Sequence, residues 1–238
     1  MTPPLPDPIA GGGPTGGRPD GSGPALSAVL VTPGGPRAID KILRRLHAQT
    51  IRDRIEVVVT IVGGGTVSLG AVPTADFAGV QVLRADRAAT SAQARAEAVR
   101  AAHAPVVALI EDHSFPEPTW AERLVEAHGE DYAAVGPVMR NGNPESALSW
   151  ANLLIEYGPW MHADAPADAE HLPGHNSTYK RDLLLAYGDD LADMLEAETL
   201  LHWDLRARGH RLLHTPAART HHVNYSRWLH SLRLRYLA

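Results

Sequence analysis

This sequence predicts a single α/β domain with a mostly parallel central sheet covered by helices on both faces. Three observations carry the prediction. Several strand-length runs are apolar throughout, without the polar alternation of a half-exposed sheet, so both faces of those strands must be buried. These runs alternate with segments whose apolar residues recur at helical spacing, the pattern of βαβ units. The chain has 238 residues with 44% apolar and 21% charged residues, enough for one large core.

In chain order, residues 1–24 are dominated by Pro and Gly without apolar periodicity, and are expected to form a disordered leader. Ala25–Thr32 is an apolar strand that stops at Pro33-Gly34-Gly35-Pro36. Arg37–Thr50 places Ile39, Ile42, Leu43 and Leu46 on one helical face. Ile55–Val62 is a second buried strand, ending in Gly63-Gly64-Gly65, and Val80–Leu83 a weaker third. An Ala-rich helix over 89–103 leads to the strand Pro105–Ile110, then to a helix over 117–129 and a strand over 132–137. The second half predicts a helix at Ser146–Trp160, a short strand at His175–Lys180, helix over most of Asp190–Arg208 and a strand at Arg211–His214. Ser226–Leu237 reads as a closing amphipathic helix, so the domain proper spans 25–225 and the terminal helix 226–238. Its Trp228, Leu229, Leu232 and Leu234, set among arginines, suit packing on the body or an interfacial membrane contact.

Composition excludes several classes. A net charge of −5 gives no electrostatic footprint for nucleic acid. With no cysteine there is no disulfide framework, no thiol nucleophile and no thiolate metal site, which suits a cytoplasmic location. No segment reads as a signal peptide, and the apolar run Ala104–Ile110 is too short to span a bilayer. Any metal site must therefore draw on carboxylates and the thirteen histidines.

In a parallel sheet, ligands bind beyond the carboxyl ends of the strands. Glu111-Asp112-His113 follows such a strand directly. If the extended geometry persists, Glu111 and His113 converge while Asp112 points away, giving half of a divalent-cation site; the alternative is a solvated strand end. Glu198 falls on a helical face with Leu201, His202 and Leu205, where partial burial would raise its pKa toward that of a useful base. The alternative is an acid favoured by the helix dipole, and Glu196 is close enough to compete for the base role. His221 and His222 are neighbours, so on a strand at most one joins a common site. Gly174 precedes His175 and Asn176 and would let the backbone approach a ligand, or simply form a tight turn.

These residues sit in an ordered set of motifs: Thr32, Ala48-Gln49-Thr50, Ala94-Arg95, then Glu111-Asp112-His113 with Phe-Pro-Glu-Pro-Thr-Trp after it. Leu172-Pro173-Gly174-His175-Asn176, Leu205-Arg206-Ala207-Arg208-Gly209-His210-Arg211 and Pro216-Ala217-Ala218 leading to His222 complete the set. Together they resemble the family 2 glycosyltransferases, whose fold is known as GT-A, over roughly residues 25–225. The resemblance implies that Thr32 and Arg95 contact the nucleotide of a nucleotide-diphosphate sugar, with Glu111 and Asp112 on the donor. It implies Mg²⁺ or Mn²⁺ held by Glu111, His113 and His222, and Glu198 as the general base of an inverting transfer to an acceptor hydroxyl. Gly174, His175 and Asn176 would meet sugar or acceptor.

Departures from the family pattern are equally specific. Ile61-Val62 stand where the family has the acids that read the base, Ala197 replaces the first acid of its Glu-Asp pair, and His113 replaces an aspartate. The glycines at 63–65 lack both the dinucleotide fingerprint and the P-loop ending. A non-catalytic nucleotide-sugar-binding relative and a sugar-phosphate nucleotidyltransferase are the alternatives.

Overall fold

The computed structural model describes residues 23–228 apart from residue 36. Most of the expected leader and most of the expected terminal helix lie outside the described residues. In chain order the elements are β1 (Leu26–Thr32), α1 (Asp40–His47), β2 (Ile55–Val62), β3 (Gly79–Ala85), α2 (Ser91–Ala101), β4 (Val106–Ile110) and β5 (Ser114–Pro116). They continue with α3 (Trp120–Ala127), β6 (Tyr132–Asn141), α4 (Ala147–Tyr157), β7 (Ala167–Asp168), β8 (Thr178–Lys180), α5 (Arg181–Leu185), α6 (Leu191–Glu196), α7 (Glu198–Ala207) and β9 (Arg211–His222). All strands share one sheet in the order β3-β2-β1-β4-β8-β6-β9-β5, with β7 on the side of β9. The sheet is parallel across β3-β2-β1-β4 and between β6 and β9, and antiparallel where β8, β5 and β7 join.

The two-residue period of the strands divides the core into two layers. Leu26, Ala28 and Leu30 of β1 pack with Val57 and Val59 of β2 against Ile42, Leu43 and Leu46 of α1 and Trp120 and Leu124 of α3. Val29, Val58, Val107 and Leu109 face the other way, against Ala92, Ala96 and Val99 of α2 and Leu191, Leu195, Leu201 and Leu205 of α6 and α7. This double burial is why the first strands carry no polar alternation. Start signals are equally local. Thr90 Oγ1 accepts from the Gln93 amide while Gln93 Oε1 accepts from the Thr90 amide, a reciprocal cap that fixes the first turn of α2. Gln49 of the Ala-Gln-Thr motif is buried, donating to the carbonyls of Arg45 and Glu117 and accepting from the Ala121 amide. It thereby ties the end of α1 to the Pro-x-Pro-x-Trp segment that opens α3.

At the amino-terminal end of the sheet, far along the strands from Glu111, Glu56 is almost wholly buried. It accepts from Ser27 Oγ, Gln81 Nε2 (2.7 Å) and the His103 amide (2.8 Å), and pairs with His103 Nδ1 at 2.6 Å. Burial alone would raise its pKa, but these bonds favour the carboxylate and leave the pKa lowered. A depressed folded-state pKa stabilises above the unfolded value and loses that contribution as pH falls through the folded one. Glu56→Ala should therefore cost about 2 kcal/mol at neutral pH, with the deficit shrinking in acid, measured by urea unfolding at several pH values. Among the described residues, no helix is long and apolar enough to cross a membrane.

Candidate active site

Three elements bring the site together. β4 ends at Ile110, and Glu111 follows it at the carboxyl edge of the sheet. The segment after Ile110 is not a continued strand: the Ser114 amide donates to the Glu111 carbonyl at 3.1 Å, closing a turn over Glu111–Ser114. Asp112 consequently does not point away. Its Oδ1 lies 3.0 Å from His113 Nδ1, and its Oδ2 accepts from Thr32 Oγ1 at 3.4 Å across from the end of β1. β9 delivers the third group. Its register against β6 jumps from Pro137 opposite Thr215 to Val138 opposite Arg219, so Pro216–Ala218 form a bulge and pairing resumes to His222. A proline that would end a regular strand is accommodated there.

Glu111, His113 and His222 offer ligand atoms that all lie within 4.8 Å of one another. His222 Nε2 is 3.3 Å and His113 Nε2 3.9 Å from the Glu111 carboxylate. His222 is buried and its Nδ1 faces Asn224 Oδ1 at 2.8 Å. The Asn224 amide nitrogen is spent on Asn141 Oδ1, Ser149 Oγ and the His222 carbonyl, which fixes its oxygen toward the imidazole. Asn224 Oδ1 thus accepts from His222 Nδ1–H and leaves Nε2 facing Glu111, where it donates to the carboxylate in an imidazolium and offers a lone pair to a cation in a neutral imidazole. A lone pair facing a carboxylate oxygen is repulsive unless a positive charge lies between or beside them. One carboxylate and two imidazoles form a donor set suited to a first-row divalent ion, so these residues fit a cation.

Glu111 is held by more than the histidines. Its Oε2 accepts from Tyr157 Oη at 2.9 Å and Asn176 Nδ2 at 2.9 Å, while Asn176 Nδ2 also donates to Tyr157 Oη at 3.0 Å. Burial pushes the Glu111 pKa up, but the bond to His222 and the charges of His175, His113 and His222 outweigh it and hold it far below the carboxylate range. For His113, burial opposes protonation, yet Asp112 and Glu111 raise its pKa overall.

Glu198 opens α7 and is 14% exposed at its side chain. Burial is the main cause that raises its pKa to about 7; Arg95, with Nη1 3.7 Å away, opposes the rise, and Glu111 and Glu196 add to it. Its carboxylate touches His175 Nε2, and His175 Nδ1 lies 3.8 Å from Glu111 on the other side. Burial, assisted by Arg95, lowers the His175 pKa to about 4, so this imidazole is neutral at physiological pH. Arg95 thus stands beside His175 and Glu198. Glu196 is exposed and outside the cavity, whereas Glu198 is in its wall.

That cavity measures about 320 Å³ and is lined by Glu111, Tyr157, Trp160, His175, Glu198 and Thr199, among others. Gly174 serves it in an unexpected way. A Cβ at this position would lie 2.6 Å from Glu198 Cβ and 2.7 Å from Glu198 Cγ, so the glycine makes room for the acid rather than for a ligand. Gly174→Ala should displace Glu198, with a stability loss of about 1–3 kcal/mol, measured by thermal unfolding. Of the glycines at 63–65, Gly65 is explained by packing too: a Cβ there would meet the Pro33 carbonyl oxygen at 2.2 Å. Sequence reasoning missed Tyr157 and Asn224. The asparagines at 141, 143 and 224 were the available signal, because small amides clustered near a histidine can fix its tautomer.

Many solved structures share this architecture. A mannosyltransferase from Pyrobaculum calidifontis, PcManGT, described in complex with GDP-Man and Mn²⁺, superposes with a TM-score of 0.61 at 21% identity, over 90% of this chain and 61% of that one. GalNAc-T7, described with UDP, GalNAc and Mn²⁺, gives 0.64 at 16% identity over 85% of this chain. The chain spans only 43% of the length of the latter. At such identities the likeness establishes the GT-A fold alone. Among curated proteins no match is found. The model of the family described as "Glycosyl transferase family 2" matches residues 27–188, from β1 into the segment after α5, and the chain belongs to that family.

Proposed function

We propose that this protein transfers a sugar from a nucleotide-diphosphate donor to an acceptor hydroxyl with inversion, with Glu198 as base and a divalent cation at Glu111, His113 and His222. The observation that carries the reading is the single cavity in which the Glu111 wall and the Glu198 wall face each other across His175. When bound, Mg²⁺ or Mn²⁺ supplies positive charge beside the departing diphosphate. Both neighbours are described with Mn²⁺, which supports the same class of ion here.

Glu198 Oε removes the proton of the acceptor hydroxyl as its oxygen forms a bond to the anomeric carbon. The bond from that carbon to the diphosphate oxygen breaks, and its electron pair leaves with the diphosphate. Direct displacement inverts the anomeric centre. Thr32 and Asp112, joined at the ends of β1 and β4, belong on the donor side, with Arg95 toward its phosphates. His175, which lines the cavity, faces the transferred sugar, whereas Asn176 is buried behind the wall. Asn176 Nδ2 keeps Glu111 oriented, and Gly174 admits Glu198 to the wall.

A thermal-shift screen of nucleotide sugars with and without Mn²⁺ tests the reading. One diphosphate sugar should stabilise the protein only with metal, and product NMR should show the inverted anomer. Stabilisation that ignores metal, or a retained anomer, would refute it. A donor-binding protein with no turnover under any acceptor would instead be the non-catalytic relative.

A further inference from the structure

Trp160 in the wall of this cavity is joined through His171 to Trp203, giving an aromatic rim beside Glu198. Trp160, in the cavity wall, donates its indole N–H to the His171 carbonyl at 2.9 Å. Trp203 donates its own to His171 Nε2 at 3.2 Å, with the two rings 5.7 Å apart. One histidine thus joins a tryptophan of the cavity wall, just after α4, to a tryptophan of α7. Trp203 lies one helical turn on from Thr199, which lines the cavity next to Glu198. It is 53% exposed, as is Leu200 beside it at 50%.

Core packing does not account for this. A large aromatic left half in water gives up much of the free energy its burial would provide, while the bond to His171 still costs it rotamer freedom. A ring fixed in place with its face open is instead a preorganised binding surface. The chemistry of the occupant follows from the two halves of the rim. Aromatic faces carry negative charge density and attract the weakly positive C–H groups on the face of a pyranose. The adjoining wall presents Glu111, Glu156 and Glu198, which accept from hydroxyl groups and repel an anion.

We infer that Trp160, His171 and Trp203 form an acceptor subsite for a neutral saccharide, whose ring rests on the tryptophans while its hydroxyl reaches Glu198. The inference rests on the transferase reading above and narrows its acceptor to a sugar. A lipid surface would use the same exposed apolar groups but would not need rings held by hydrogen bonds. Saturation-transfer NMR with a panel of neutral methyl glycosides and disaccharides tests it, with a methyl glucuronide and zwitterionic phosphatidylcholine vesicles as comparisons. A neutral glycoside should receive saturation, and Trp203→Leu and His171→Ala should each weaken its binding about tenfold, with Trp203→Phe intermediate. In turnover, Trp203→Leu should raise the acceptor KM by a similar factor while the donor KM moves less than about twofold. Glu198→Gln should keep glycoside binding and lose turnover, so failure of the base assignment and failure of the subsite are separate results. The inference is overturned if no neutral glycoside binds, if Trp203→Leu binds as the parent does, or if the tryptophans matter only for vesicles.

Discussion

Replacing Glu198 by Gln is expected to lower the rate of sugar transfer about 10³-fold, the usual contribution of a positioned general base, with little change in donor KM. Gln keeps the size and the contact with His175 but cannot take a proton. The pH dependence makes the prediction sharper. Glu198 must be ionised to act, and burial raises its pKa to about 7. Transfer by the parent protein should therefore rise tenfold per pH unit below about 7 and level off above it, and the variant should lose that limb. Stability runs the opposite way. A carboxyl whose folded pKa exceeds its unfolded value contributes most below the unfolded pKa, and loses that contribution as pH rises through the folded one. Glu198→Gln should thus be more stable than the parent near pH 8, by about 1–3 kcal/mol. A variant that is slower and yet more stable has not lost activity through misfolding. Equal stability at both ends of the pH range, or an unchanged rate profile, would remove Glu198 from the base role.

Much of the fold was legible because its first half is governed by local rules. β1, β2 and β4 are buried on both faces, so their composition alone marked them, and Ile42, Leu43 and Leu46 form the inward face of α1, with Ile39 buried just before it, as the spacing predicts. The short strands β5 and β7 were not legible. Ser114–Pro116 and Ala167–Asp168 owe their extended form to pairing with β9, a contact between residues far apart in sequence. The strand expected at Arg211–His214 is only the first part of β9, because pairing is interrupted at Pro216–Ala218 and resumes to His222 only through the bulge opposite β6. The site followed the same division. Glu111, His113, His222, Glu198, His175 and Asn176 do come together, whereas the extended geometry expected for Glu111–His113 gives way to a turn. The turn brings Asp112 back toward Thr32 and His113. Tyr157 acts through its hydroxyl and Asn224 through its amide, and no periodicity announces such a role.

The second large effect is expected at Glu111, where one carboxylate joins the three parts of the site. Glu111→Ala should abolish Mn²⁺-dependent stabilisation and lower Mn²⁺ affinity at least about 100-fold, read by electron paramagnetic resonance or calorimetry without any donor present. Two losses add in this variant. The cation would lose its one anionic ligand, leaving two neutral imidazoles that alone hold a hard divalent ion poorly. The Tyr157 hydroxyl and Asn176 amide, both buried, would lose their acceptor as well, at about 1–3 kcal/mol for each donor left unpaired. Glu111→Gln separates the two. Its carbonyl oxygen can still accept from Tyr157 and Asn176, so fold stability should largely return while Mn²⁺ affinity stays low. Asn224→Ala provides the graded case, because His222 would keep its place on β9 but lose the partner that holds the proton on Nδ1. Its Mn²⁺ affinity should fall about 10-fold to 100-fold, less than on removal of Glu111. If all three variants bind Mn²⁺ as the parent does, the cation is held elsewhere, and the Glu111 cluster is a hydrogen-bonded anchor for β4, α4 and β9 rather than a metal centre.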